Sequence, residues 1–326
     1  MRCRATPPPE PAPASPVGPP GRPRYRVPVT SNSEQAPPTT AGDPERVNRR
    51  PRSLIVSFFG TYARDIGGWI SVADLIALMA ELGVDAPSVR SAVSRLKRRG
   101  LLAPERLGGV AGYRLSDEGR QILAEGDRRI FGHRVARVGD GWVLVVFSVP
   151  ESERRLRHAL RSRLTRLGFG TTAAGVWIAP AHMADQARQV LRDLGLDGYA
   201  ELFHATHLDF RDLSEAVARW WDLPALQAMY QEFLSEHEPV LGAWRRTGPT
   251  GPTGPTGTAD PRAAAFADHL RTVDAWRRMP FLDPGLPPEV LPGPWAGSRA
   301  SRVFFDLHAR LREPGLAHVR SVVSRG

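Results

Sequence analysis

At 326 residues the chain is long enough for two or three domains with cores of their own, and 44 Lys and Arg against 34 Asp and Glu give a formal net charge of +10. That balance suits a polyanionic partner, although Lys97 is the only lysine, and an arginine bias with abundant Ala, Gly and Pro is also what a GC-rich genome produces. The single cysteine, Cys3, excludes an internal disulfide or a cysteine-based zinc site, no apolar run is long enough for a transmembrane helix, and the Pro- and Arg-rich start lacks the apolar core of a secretory signal, so a cytoplasmic protein is expected.

Residues 1–50 are rich in Pro and poor in large apolar side chains, which predicts a disordered tail. Order is expected from Ser53, in a helix whose apolar side is Leu54, Ile55, Phe58, Phe59 and Tyr62. Ser71 can cap a second helix with Val72, Leu75, Ile76 and Met79 on one face, and Gly83 suits the left-handed turn that ends it. A third helix begins at Ala86-Pro87-Ser88, where Pro is accepted in the first turn, and runs to Arg99 before Gly100.

Val89, Ala92, Val93 and Leu96 put one side of that third helix against a core. The other side carries Ser91, Ser94 and Arg98, flanked by Arg90 and Arg95. Five positive charges, no acid and short hydroxyls on an outward face suit the major groove, where Arg reaches guanine edges or phosphate and Ser reaches either without bulk. Two extended runs then flank a Gly-rich turn between Glu105 and Leu115, a β-hairpin pattern in which Arg106 and Arg114 can touch phosphate. Helix, tight turn, helix and hairpin is the order of a winged helix-turn-helix, closed by a helix from Ser116 to about Phe131. A helical hairpin with a solvated basic face is the plainer alternative.

From Trp142 the rhythm changes to strand (142–149), helix (151–167), strand (172–179), helix (183–194) and strand (200–207), with a further strand near Gly170 left open. This is a compact ferredoxin-like pattern. Helices follow at 213–221 and 223–237, then from Pro261 to Met279 and from Ser298 to about Leu311. A Gly-Pro-Thr repeat at 247–258 interrupts them as a flexible insertion, too short for a collagen helix. The fold class expected is α+β, with a winged helix-turn-helix at 51–131, a ferredoxin-like domain at 132–212 and a helical C-terminal domain at 213–326.

Four stretches carry a resemblance. Arg277-Arg-Met-Pro-Phe-Leu-Asp-Pro-Gly-Leu-Pro-Pro-Glu-Val-Leu-Pro292 with Trp295-Ala-Gly-Ser-Arg-Ala300 is similar to the C-terminal motif of the phenylacetic acid degradation repressor (PaaX) family. Val146-Phe-Ser-Val-Pro-Glu151, Leu167-Gly-Phe-Gly170 with Gly175-Val-Trp-Ile-Ala-Pro180, and Val89-Arg-Ser-Ala-Val-Ser-Arg-Leu96 resemble it too, in order, over roughly residues 51 to 314. The resemblance implies a GntR-like winged helix, a middle domain like a CRISPR adaptation nuclease and a homodimeric regulator, mostly a repressor, on a palindromic operator. It further implies release by an acyl-coenzyme A effector such as phenylacetyl-coenzyme A, control of aromatic-acid catabolism, no cofactor and no enzymatic activity. Activation rather than repression, or another effector, fits the same scaffold. On this reading Ser88, Arg90, Ser91, Ser94, Arg95 and Arg98 contact DNA, Arg106 and Arg114 brace its backbone, and the protein is nucleoid-associated when bound. The wing is less basic than the family leads one to expect, and the Gly-Pro-Thr insertion is unusual.

Other chemistry is weaker. A metal-dependent nuclease wants an acid at the end of the first middle strand, where Ser148 stands, and Glu151 belongs to the following helix. His204 and His207 fall on opposite faces of a strand, which does not make a metal site. The arginines from Arg154 to Arg166 form either an anion site or a solvated face, and Trp220, Trp221, Trp244, Trp276 and Trp295 either an aromatic ligand wall or buried core.

Overall fold

A computed structural model describes residues 44–132, 134–208, 212–247 and 260–324; most of the tail read at 1–50, and the Gly-Pro-Thr insertion beyond Thr247, lie outside them. Helix α1 spans Pro44–Thr61, starting ahead of Ser53 because a proline's missing N–H costs nothing in a first helical turn. Its apolar residues Leu54, Ile55, Phe58, Phe59 and Tyr62 are all buried. A three-residue strand absent from the sequence reading, β1 (Trp69–Ser71), precedes α2 (Val72–Ala80); it is too short for any periodicity to reveal. Ser71 accepts from Asp74 N–H to cap α2, and Asp85 accepts from Ser88 N–H to cap α3 (Ala86–Arg98).

Strands β2 (Leu102–Leu107) and β3 (Val110–Leu115) form the hairpin. Leu107 pairs with Val110, so Gly108 and Gly109 alone make the turn, with φ of 57° and 84°. Positive φ at both central residues gives the twist that two antiparallel strands need. β1 adds to the free edge of β3, making the order β1-β3-β2, and α4 (Asp117–Phe131) leads away under a cap from Ser116.

The middle of the chain forms β4 (Trp142–Phe147), α5 (Arg154–Arg166), β5 (Gly170–Ala173), β6 (Val176–Pro180), α6 (Ala184–Asp193) and β7 (Ala200–Ala205). All pairings are antiparallel, in the order β5-β6-β4-β7, so the strand left open near Gly170 is present as an edge. Val143, Val145 and Phe147 on one face of β4 pack with Leu160 and Leu164 of α5 and Ala187 and Leu191 of α6. Trp142 and Ile178 on the other face meet Val217, Trp221 and Leu226. β7 stops at Ala205, so His207 is outside the strand on which it was expected. It sits edge-on to Trp220 at 5.8 Å, and His204 contacts the Asp140 carbonyl at 3.1 Å.

The C-terminal helices are α7 (Leu213–Trp220), α8 (Leu223–Thr247), α9 (Pro261–Trp276) and α10 (Ala296–Val323). Two are longer than expected: α8 runs on past His237 through Pro239, and α10 past Leu311 through Pro314. Packing overrides the lost hydrogen bond, since Leu241 and Trp244 beyond the first proline and Leu316 and Val319 beyond the second are buried. Trp276 lies flat on Phe304 at 4.8 Å and is fully buried with Trp221 and Trp244 nearly so, which makes these tryptophans core; Trp220 and Trp295 are half-buried at its margin.

The core of the N-terminal unit is not its own. Phe266 and Leu270 of α9 and Leu316 and Val319 of α10 belong to the same cluster as Leu54, Phe58, Leu75 and Leu96. Polar contacts follow the same seam. Ser53 and Ser57 donate to Asp274 at 2.7 and 2.8 Å, Arg312 pairs with Asp65 at 3.0 Å, and His318 meets Glu81 of α2 at 2.8 Å.

Candidate nucleic-acid interface

Helix α3 keeps Val89, Ala92, Val93 and Leu96 buried, which fixes its rotation and turns Arg90, Ser91, Ser94 and Arg98 outward as exposed residues. Arg95 is half-buried at the border of that face. Among the described residues the side chains of Arg90, Arg95 and Arg98 make no ion pair or hydrogen bond, so their guanidinium forks are uncommitted. Arg95, Lys97 and Arg98 also lie in the last turn, where positive charge offsets the carbonyl end of the helix. That stabilising role would be met by one cation. Four on the helix and Arg99 at its end, with no acid beyond the N-terminal cap, leave a strongly positive outer face.

Ser88 is placed differently from its neighbours. It is half-buried, its N–H donates to Asp85 at 2.7 Å and its hydroxyl to the same carboxylate at 3.0 Å. Those two bonds hold the Asp85 carboxyl below the usual carboxylate range. Ser88 therefore builds the start of the helix, and its hydroxyl proton is already used.

The hairpin brings Arg106 and Arg114 beside α3 in sequence but ties both down. Arg106 is exposed at the tip and donates to the Gly109 carbonyl at 3.0 Å, closing the turn. Arg114 is half-buried and lies 3.5 Å from the Glu105 carboxylate. A guanidinium has five donors, so each keeps N–H groups for a phosphate, with less net charge to offer than a free arginine.

What periodicity did not reveal is the chain of buried polar groups behind the interface. Tyr62, just past α1, has its hydroxyl pushed up in pKa by burial and lies 2.5 Å from His269 Nδ1, and the other ring nitrogen of His269 meets His308 Nδ1 at 2.9 Å. Burial lowers His269 to about 3 and also depresses His308, with Arg312 adding repulsion. No local signal marks these residues, because Tyr62 and His269 are 207 positions apart.

A second feature lies where α4, α5, α6 and the crossing at Pro280–Pro284 meet: a cavity of about 860 Å³ lined by Arg128, Arg129, Arg134, Arg163 and Arg166 among others. Arg129 anchors it, donating to the Pro280 and Leu167 carbonyls at 2.8 and 2.6 Å and lying 4.7 Å over Phe281; burial lowers its pKa to about 10. Of the middle-helix arginines, Arg163 and Arg166 face this cavity, whereas Arg157 is paired with Glu151. Among the described residues no three His, Cys, Asp or Glu side chains are grouped to hold a metal ion.

Three family models match the chain in sequence: a PaaX-like protein at residues 50–119, the PaaX protein central Cas2-like domain at 136–217 and the PaaX-like protein C-terminal domain at 221–321. The transcriptional repressor PaaX of Escherichia coli (strain K12) is 27% identical over 270 residues, which cover 82% of each chain. The structure of an uncharacterized protein from Mycobacterium tuberculosis superposes with a TM-score of 0.51 at 21% identity, covering 83% of this chain and 98% of that one, a likeness of fold alone.

Proposed function

The chain belongs to the PaaX family, and from that premise we propose that it is a DNA-binding transcriptional repressor, a regulator rather than an enzyme. On this reading the N-terminal unit is a winged helix-turn-helix. α3 enters the major groove with Arg90, Ser91, Ser94, Arg95 and Arg98 at the DNA, and the wing lends Arg106 and Arg114 to the backbone. The observation that carries the proposal is the outward face of α3, where three arginines have no partner among the described residues while their apolar neighbours are locked in the core.

The middle section, read as a ferredoxin-like domain, presents as exposed apolar residues Val146 of the inner strand β4, Phe203 of the edge strand β7 and Tyr199 just before it. These suit the two-fold contact of a homodimer on a palindromic operator in the cytoplasm. Half-sites then fall about one helical turn, or a multiple of it, apart. The effector is an acyl-coenzyme A of the phenylacetyl type. Its phosphates fit the five-arginine cavity, which touches α4 on the DNA-reading side and α5 and α6 on the other, so filling it shifts one against the other.

Arg95→Ala and Arg98→Ala should each cost about 1–3 kcal/mol of operator affinity, on the order of tenfold or more, with the thermal midpoint unchanged. Fluorescence anisotropy on the upstream region reads this directly. Two variants that bind the operator as the parent does would remove the assignment of α3. Phenylacetyl-coenzyme A should release the complex, and Arg163→Ala should blunt that release without altering operator affinity; release that Arg163→Ala leaves untouched separates the effector from this cavity.

A further inference from the structure

A cavity of about 1020 Å³ opens between α1, α8 and α9, away from the arginine cavity, and the reading above gives it no role. His237 lines it, 6% exposed, and among the described residues its Nε2 has no hydrogen-bond partner. The other ring nitrogen fixes what Nε2 can do. The Thr272 hydroxyl gives its one proton to the Asp268 carbonyl at 2.7 Å, so towards His237 Nδ1, 3.2 Å away, it can only accept. Nδ1 therefore carries the ring proton and Nε2 is a bare acceptor. Burial holds the ring neutral, at a pKa of about 4.

Another acceptor, the Glu236 carboxylate, lies 3.9 Å from Nε2. Nε2 is thus left without a donor, whereas the carboxylate sits on an exposed side chain, and a nitrogen with two N–H groups fits between the two acceptors at about 2.8 Å from each. Glu232, one turn earlier on α8, adds a second carboxylate to the same wall. Of the other acids in the lining, Asp274 pairs with Arg277 at 3.1 Å, and Asp268 accepts from the Trp244 indole N–H at 2.9 Å with Arg271 at 3.8 Å; Arg52 and Arg278 complete the charged lining. Leu54, Val56, Val240 and Ala275 supply apolar wall beside the acceptors.

We propose that this cavity binds a small organic primary ammonium, whose N–H groups bridge His237 Nε2 and the Glu236 carboxylate while its carbon chain lies on Leu54, Val56 and Val240. Glu236 is exposed and moves without disturbing the core, which lets the ligand reach the buried ring.

The test uses the full chain without DNA, so it succeeds or fails independently of the regulator reading. Hexylammonium and hexyltrimethylammonium carry the same charge and chain, but only the first has N–H donors. Titrated against protein labelled with ¹⁵N histidine, hexylammonium should shift the His237 Nε2 resonance saturably and bind about tenfold or more tightly than its trimethyl analogue. Glu236→Gln, a surface change, should weaken hexylammonium by a similar factor at an unchanged thermal midpoint, and Thr272→Val should erase the preference by freeing the ring tautomer. Equal binding of the two cations, an unmoved His237 resonance, or full affinity in Glu236→Gln overturns the proposal.

Discussion

His269 and His237 sit in the C-terminal helices with 0% and 6% exposure, and burial puts their pKa values at about 3 and about 4. Below the ordinary value of about 6.5 the unfolded chain takes up protons that the folded chain refuses, so folding stability is complete above that pH and declines as pH falls towards the folded values. Lowering the pH from about 7 to about 5 should remove roughly 2 kcal/mol for each of the two rings, read as a falling thermal midpoint. His269→Gln should flatten that dependence, and an equally steep pH profile in the variant would show that His269 does not titrate in the way its burial requires. Residues of this kind are illegible in a sequence, whereas Ser91, Ser94 and Arg98 are legible. The first depend on partners brought from two hundred positions away; the second need only the 3.6-residue period of one helix and a buried opposite side.

α10 shows why element ends are harder to read than element cores. Its sequence stops being helical, by any local rule, at Pro314-Gly315, where one residue removes a donor and the next favours other backbone shapes. The helix continues because Gly315 lets it approach α1 and α9. A Cβ there would lie 2.4 Å from the Tyr62 hydroxyl oxygen and 3.2 Å from Phe266 Cα. Gly315→Ala, which raises helix propensity, should therefore destabilise the protein by about 1–3 kcal/mol through overpacking, measured by denaturant titration. A stabilised variant would mean the crossing is looser than the geometry requires. The same reasoning covers α8 at Pro239 and the strand β1, each held by neighbours far along the chain. α3 and the hairpin, by contrast, carry their own caps, turn glycines and apolar stripe, and are readable where they stand.

At the scale of the molecule, the N-terminal unit borrows its core. With Phe266, Leu270, Leu316 and Val319 packed among Leu54, Phe58 and Leu75, a fragment of residues 44–132 would expose that surface. The fragment should show no cooperative thermal transition by circular dichroism, and a sharp transition near that of the full chain would disprove the dependence. The ribosome makes the chain from its N-terminus, and Ser53 must wait for Asp274, 221 residues later, and for the helix beyond it. Residues 44–132 are thus made before the helices that complete their core. A chain ended ahead of α9 would carry the arginines of α3 without the packing that aims them.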